Sequence, residues 1–471
     1  MKKLYRYSFC CILWAKAKWG RDTMKIYEQI CQDLKRDIIN KKIKQGERLP
    51  SLIAISRHYQ CSKGTVIKAF EQLRTQRIIF SKPQSGYYVA DNLMREDDHP
   101  KGFLLDSGNP TIGSFSTFDV SHCLHLAAEL YSKYSIDVTL SGVPSLNALL
   151  PDYLAREGVY AKTRNIHLIQ GITPVLTFLT LYPFPNGKKT VLIEEPTSKH
   201  YVSFLKSIDV NVLTIRRDET GIDLKQLEAY FKHGDIKFFF VIPRNHNPLG
   251  TILSHHQRKT IMELALKYDV YIVEDDYFGG THKLPKYVPI HFFSYQKHCI
   301  YLRSFSKVLP MLRIAIAVIP DEFQETFDTI SQQSYYYSYH MPDLISQATY
   351  EAYLRSSLFE KHYAQISHSI HEKLKLARGV TSAWDPRYVS LIGAKSGYYF
   401  TLKLHPDMNV DTVVSKLHQK NIYIASNERA FYNSDNFDNS VRISIAKVSL
   451  EHLKEVLHTI YEVILDLKTG E

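Results

Sequence analysis

The sequence predicts an α/β protein in two parts: a small basic module of helices and a hairpin, then a large domain on a mostly parallel sheet. Three observations predict it. The basic excess lies wholly at the amino end: residues 1–23 carry six Lys/Arg against one acid, residues 24–90 thirteen against five, and the remainder 40 against 42. From about residue 105 onward, short apolar runs alternate with amphipathic ones, as strands and helices do when layered around a parallel sheet. At 471 residues the chain also exceeds one ordinary domain.

Composition narrows the class. Hydrophobic residues are 44% and charged residues 23% of the chain, ordinary values for a globular protein. The six cysteines are scattered without a C-x-x-C pair, which argues against a zinc ribbon or a disulfide scaffold and suits a reducing cytoplasm. His122 and His125 lack an accompanying carboxylate cluster, so no metal site is expected. Residues 1–23 loosely mimic a signal peptide, but Lys16, Lys18 and Arg21 break the apolar run. We read them as an extension upstream of a functional start at Met24. No stretch approaches the ~18 apolar residues of a membrane span.

Residues 25–41 place Ile26, Ile30, Leu34 and Ile38 four apart, an amphipathic helix. Ser51 can cap a second helix running to about Tyr59, and Ser62 a third with Val66, Ala69, Phe70 and Leu73 on one face. Ile78–Phe80 and Tyr87–Val89 read as strands flanking a hairpin at residues 81–86. Three helices, a short turn between the second and third, a hairpin and a basic surface make a winged helix-turn-helix. Its third helix would enter the major groove of double-stranded DNA. Residues 91–104 are polar and read as a linker.

In the large domain the candidate strands are 166–169, 190–194, 211–215, 237–242, 270–274, 299–303 and 313–318, with helical runs such as 222–232 and 256–268 between them. Ligands of such sheets bind at the carboxyl ends of strands, and these ends carry chemistry. Gly171 and Thr173 open a helix after the first strand, an anion cradle. Asn247 sits in the turn Pro243–Gly250. Glu274, Asp275, Asp276 and Tyr277 end another strand, where three acids are tolerable only if one meets a buried cation. If that strand continues, Asp275 and Tyr277 share a face and Asp276 points the other way. Then comes Ser304-Phe305-Ser306-Lys307, with Arg313 beyond. These ends offer an amine that condenses with an aldehyde, a carboxylate for a ring nitrogen, a phenol and an amide for a ring oxygen, and hydroxyls with an arginine for a phosphate. Pyridoxal 5'-phosphate requires that inventory.

Two resemblances follow. Leu49-Pro50-Ser51, Ser62-Lys63-Gly64-Thr65-Val66, Ala69–Leu73 and Ser85-Gly86-Tyr87-Tyr88-Val89 resemble the GntR family of bacterial regulators. That resemblance implies DNA contacts from Ser51, Lys63, Thr65 and the wing near Gly86. The region from about 105 to 465 resembles the fold type I, aspartate-aminotransferase-like enzymes, so the whole chain is similar to the MocR/GabR subfamily of transcriptional regulators. The resemblance implies a domain over 105–471 with a smaller C-terminal α+β subdomain from about 360. It implies Lys307 as the lysine that joins the cofactor aldehyde and Asp275 as the partner of the ring nitrogen. Asn247 and Tyr277 would hold the 3-oxygen, and Gly171, Thr173, Ser304, Ser306 and Arg313 the phosphate. Arg442 would bind an amino acid's α-carboxylate. The family's ring-stacking aromatic falls near Ser198, leaving His200 or Tyr201 as substitutes, or the ring without that contact. The expected protein is a cytoplasmic, homodimeric regulator that binds DNA and senses a small amino compound. The alternative is a working aminotransferase or lyase with a secondary DNA-binding module.

Overall fold

The computed structural model describes residues 25–40, 42–44, 46–76, 78–82, 85–90, 102–110, 117–132, 142–280, 287–337, 341–356 and 358–469; the extension 1–23 and most of the linker lie outside them. The described residues form two compact units, one within residues 1–101 and one within 102–471.

The first unit contains α1 (Ile26–Ile39), α2 (Leu52–His58), α3 (Lys63–Thr75), β1 (Ile79–Lys82) and β2 (Gly86–Val89). Both expected caps form: Ser51 Oγ accepts from Ala54 N at 3.2 Å and Ser62 Oγ from Thr65 N at 3.1 Å, meeting amide donors that the first helical turn leaves unpaired. Ile30, Leu34 and Ile38 join Val66, Ala69, Phe70 and Leu73 in one core. Ile26 departs from the expected stripe and is 48% exposed, because it is the first residue of α1 and lies beyond the packed turns. The antiparallel pair runs from Ile79 opposite Val89 to Lys82 opposite Gly86, so the wing strands reach further into the hairpin than the apolar residues alone indicate.

In the second unit, β3 (Phe103–Leu104) precedes seven strands: β4 (Ile166–Ile169), β5 (Thr190–Glu195), β6 (Val212–Arg216), β7 (Ile236–Val241), β8 (Tyr271–Asp275), β9 (Cys299–Ser304) and β10 (Ala315–Val318). These seven form one sheet in the order β4-β10-β9-β8-β7-β5-β6, parallel except that β10 is antiparallel to both its neighbours. Helices cover both faces, so the strands are near-continuous apolar runs. Val191, Ile193, Phe238, Phe240 and Val273 enter one core cluster, while Leu192, Phe239, Val241 and Ile272 enter another, the period-two alternation of a pleated strand.

A second, antiparallel sheet follows: β11 (Val389–Gly393), β12 (Tyr399–Leu404), β14 (Ala425–Ser426) and β15 (Ser440–Ser444), in the order β11-β12-β15-β14; β13 (Ile422–Tyr423) pairs in parallel with β3. The two sheets meet at Gly250. Its φ is 68°, and a Cβ there would lie 2.0 Å from the Tyr399 carbonyl oxygen. Only glycine permits that approach, which brings the turn carrying Asn247 against the second sheet. No helix among the described residues is long and apolar enough to cross a membrane.

Candidate functional site

The carboxyl ends of β4, β5, β7, β8 and β9 share one edge of the large sheet, and the reversed strand β10 begins there. Gly171 is the N-cap of helix Ile172–Leu181 after β4, with Thr173 in its first turn. Asn247 lies in the turn after β7, Asp275 ends β8, and Ser304 ends β9 just ahead of Ser306 and Lys307. Arg313 precedes β10 and is exposed, as is Thr173, whereas Ser304, Ser306 and Lys307 are half-buried. Ser304 Oγ lies 3.2 Å from Ser306 Oγ and accepts from Ser306 N at 3.2 Å. Arg442 stands mid-strand in β15 with 6% exposure.

The cluster is tied together by a strap, residues 103–110, which sequence reasoning did not include. Lys307 Nζ donates to Gly108 O at 2.9 Å and to Asn109 Oδ1 at 2.8 Å. Arg442 donates from Nη1 to Asn247 Oδ1 at 3.0 Å and from Nη2 to Asp106 O. Ser444, two residues further along β15, donates its hydroxyl to Ser107 O at 2.8 Å. The Tyr399 ring lies under the Arg442 guanidinium, 4.7 Å away, and its hydroxyl presses on Gly108, where a Cβ would lie only 1.5 Å from it. Tyr399 was also missed; a tyrosine within an apolar strand carries no sign of its target. Among the described residues, Arg442 Nε is buried without a hydrogen-bond partner.

Beta-strand eight ends at Asp275 instead of continuing. Asp275 Oδ1 accepts from Tyr277 N at 3.0 Å, and the Tyr277 hydroxyl donates to Asn245 O at 2.7 Å, so the shared-face argument gives way to an Asx-type turn. Burial first, and then the neighbouring Asp276 charge, push the Asp275 carboxyl up to about 8, while the Tyr277 amide and Lys307 pull the other way. Asp276 meets the expected buried cation: Arg244 donates to it from Nε at 2.7 Å and Nη2 at 2.6 Å, and the Tyr301 hydroxyl adds a third bond at 2.6 Å. Glu274 accepts instead from the amides of Ile290 and His291. Of the three acids, Asp276 alone has an ion pair among the described residues; Glu274 is held by backbone amides, and Asp275 by the Tyr277 amide.

Behind this edge, Glu194 and Arg217 are buried together at 3.2 Å, and Glu194 Oε2 accepts from Ile242 N at 2.7 Å, fixing the strand end that carries the Asn247 turn. Of the two proposed stacking rings, Tyr201 is excluded. It is 3% exposed, and its hydroxyl lies 2.8 Å from Thr180 Oγ1 inside the core. His200 is exposed and faces Lys199, Arg442 and Lys307, whose charges, after desolvation, lower its pKa.

The residues present fit pyridoxal phosphate. A buried acid without a fixed cation suits a protonated ring nitrogen, hydroxyls and a helix N-terminus suit a phosphate, and the orphaned Arg442 Nε suits a carboxylate.

In the first unit, Ser51 and Lys63 are exposed at the starts of α2 and α3. The Thr65 hydroxyl lies 2.9 Å from Ser62 Oγ, within the cap. Gly86 packs over Arg48, whose Nε would lie 3.1 Å from a Cβ there. Lys82 Nζ covers the Tyr88 ring of the wing at 4.7 Å.

Comparison with known proteins assigns each unit to a family. Residues 101–460 match the family model for aminotransferase class I and II, and residues 26–89 that for bacterial regulatory proteins of the gntR family. The chain is 31% identical over 448 residues to the uncharacterized HTH-type transcriptional regulator YcxD of Bacillus subtilis, covering 92% of this chain and 98% of the relative. It is 23% identical to the uncharacterized HTH-type transcriptional regulator YjiR of Escherichia coli, over 94% and 99% of the two chains. Among solved structures, the kynurenine aminotransferase of Pyrococcus horikoshii superposes with a TM-score of 0.70 at 20% identity, covering 79% of this chain and 92% of that one. The α-aminoadipate aminotransferase LysN of Thermus thermophilus gives 0.69 at 20%, covering 79% and 94%.

Proposed function

Since the chain belongs to the MocR/GabR-type regulators, in which a GntR-type winged helix precedes an aminotransferase class I and II domain, we propose that it is a transcription regulator whose response to an amino compound runs through Lys307 and Arg442. The observation that carries this reading is the strap. The two side chains that an amino acid would engage are both hydrogen-bonded to residues 106–109, and the chain reaches this strap directly from the linker that follows the DNA-binding unit.

Pyridoxal phosphate, when bound, supplies an aldehyde that takes up amines and a ring that draws off electrons. Lys307 would hold the aldehyde carbon, Asp275 the proton on the ring nitrogen, and Gly171, Thr173, Ser304, Ser306 and Arg313 the phosphate. Asn247 and Tyr277 would face the ring oxygen, and the exposed His200 the ring face. Arg442 would grip the effector's carboxylate, for which its bare Nε is ready. To do so it exchanges the neutral Asp106 carbonyl for an anion, the stronger acceptor. Lys307, in holding the aldehyde carbon, would already have given up Gly108 O and Asn109 Oδ1, which leaves Arg442 as the strap's charged anchor in the loaded protein. An effector that draws Arg442 away removes that anchor while Ser444 still holds Ser107. A ligand that binds these two states unequally shifts their populations, and the chain carries the change into the linker. We take the regulator to be a homodimer, since two-fold symmetry pairs DNA-binding units with half-sites.

The test is a mobility shift with cofactor-loaded protein on DNA upstream of its own gene, with and without amino compounds. Lys63→Ala should weaken operator binding roughly uniformly across sequences and lower the salt slope by about 1. Lys307→Ala should abolish both the visible absorbance of bound cofactor and the response to amines. Binding unaffected by Lys63→Ala, or a response that survives Lys307→Ala, sinks the proposal. Steady keto-acid formation at aminotransferase rates would instead identify an enzyme.

A further inference from the structure

The carboxylate clamp depends on where β15 is held, and part of that hold comes from the other sheet. Residues 430–438 lead from β14 into β15 and meet the carboxyl ends of β5 and β6. Glu195 and Arg216 are partners in register at those two ends. Glu195 is 2% exposed, and both of its carboxylate oxygens go to the segment: Oε1 accepts from Asn433 N at 2.8 Å and Oε2 from Asn436 Nδ2 at 2.6 Å. Arg216 takes the next positions. It donates from Nη1 to Asn436 O at 3.3 Å and from Nη2 to Asp438 Oδ2 at 3.0 Å. Asp438 Oδ1 then accepts from the hydroxyl of Ser440, the first residue of β15, at 2.7 Å. Arg442 stands two residues further on.

No cation pairs with Glu195 among the described residues. A buried carboxylate is costly unless it is hydrogen-bonded, and here the segment supplies both bonds. Bonds to an ionised group are about twice as strong as neutral ones, so the segment is fastened to the end of β5 more firmly than its exposed asparagines suggest. Within its own sheet β15 is held without this help, by β12 and β14. What Glu195 and Arg216 add is the position of that sheet against the large one. The same sheet is tied also at the Asn247 turn, where the Thr401 hydroxyl donates to Pro248 O at 3.1 Å. A guanidinium fork must meet a carboxylate squarely to make two parallel bonds, so both ties bear on the aim of Arg442.

Resting on the sensor reading above, we propose that Glu195 is a positioning residue for recognition of the effector's carboxylate. Through residues 433–438 it fixes the start of β15, and with it the aim of Arg442, while Arg216 grips the far end of the same segment. Both oxygens of Glu195 are engaged by the segment, so it acts through Arg442 and not on the effector itself. It thereby sets how well the site tells an amino acid from the amine that lacks only the carboxylate.

The experiment titrates the cofactor-loaded full chain with pairs that differ only by the α-carboxylate: L-norvaline and n-butylamine, L-phenylalanine and 2-phenylethylamine, L-lysine and 1,5-diaminopentane. The visible absorbance of the bound cofactor is read, and the tightest pair is followed. The wild type should prefer the amino acid by at least about ten-fold, the scale of one charge-assisted bond. Glu195→Gln keeps the volume but removes the charge and one acceptor; it should weaken the amino acid about five- to ten-fold and leave the amine within about two-fold. Asn436→Ala removes a single bond at an exposed residue, so it tests the same tie without touching the core, and it should lower the preference in the same direction by less. Equal weakening of both members of the pair marks Glu195 as merely structural and overturns the inference alone, as does a preference unchanged in both variants. A wild type that binds amino acid and amine equally overturns the carboxylate role of Arg442, and a protein whose absorbance answers no amine overturns the sensor reading; either takes this inference with it.

Discussion

Asp275 gives the sharpest quantitative expectation. Its carboxyl stands at about 8 in the folded chain against an ordinary 3.8, so the cofactor-free fold favours the protonated form. Below about pH 4 the group is protonated folded and unfolded alike, and the fold carries no penalty. As pH rises toward 8 the unfolded chain releases the proton and the folded chain keeps it, so stability falls; above 8 the loss is complete. A shift of about four units, at about 1.4 kcal/mol each, sets a ceiling of about 6 kcal/mol. The group is 7% exposed at an open strand end, and hydration there lowers the expected cost to about 2–3 kcal/mol. Asp275→Asn keeps the shape and removes the titration. Cofactor-free wild type and Asp275→Asn should therefore have similar denaturant midpoints at about pH 4 and below, with the variant more stable by that amount at pH 9. Buried Glu274, also raised to about 8, is common to both proteins and largely cancels in the difference. Adding pyridoxal phosphate should stabilise the wild type at high pH, because a protonated ring nitrogen pairs with the ionised carboxylate, and should do much less for the variant. Parallel pH curves for the two cofactor-free proteins would refute the argument that Asp275 is a buried acid lacking its cation.

Gly108→Ala places a methyl group into the Tyr399 hydroxyl; with that ring held under Arg442, the strap must yield, at about 1–3 kcal/mol in a denaturation midpoint. The same variant should answer the effector at lower concentration in the operator assay, because its strap competes less well for Arg442. Tyr201→Phe should cost about 1 kcal/mol by losing the bond to Thr180 and leave the cofactor's absorbance unchanged, whereas His200→Ala should weaken cofactor binding in a fluorescence titration.

The features that can be read along the chain are those fixed by local physics. An apolar run of four to six residues bounded by turns is a buried strand wherever it lies, and every candidate strand of the large sheet forms within a residue or two of its expected place. Ser51 and Ser62 cap their helices because the hydroxyl needs only the amide three residues on. The strand-end positions of Asn247, Asp275, Ser304 and Lys307 follow from those strands. Where a residue's role depends on what lies across the fold, local reasoning failed. The tyrosine at 201 looked as available as the histidine beside it, but the helix turns it into the core, where its hydroxyl meets Thr180. Tyr277 was placed on a continuing strand, yet its own amide bonds back to Asp275 and ends it.

The sequence by itself determined a basic winged helix joined to an α/β domain with a lysine, an acid and an arginine suited to one cofactor and its ligand. Only the tertiary structure decided what those groups touch at rest. Lys307 meets Gly108 across 199 positions of chain, and Arg442 meets Asp106 across 336. Backbone carbonyls accept both bonds, and every residue possesses one, so no side-chain pattern could announce them.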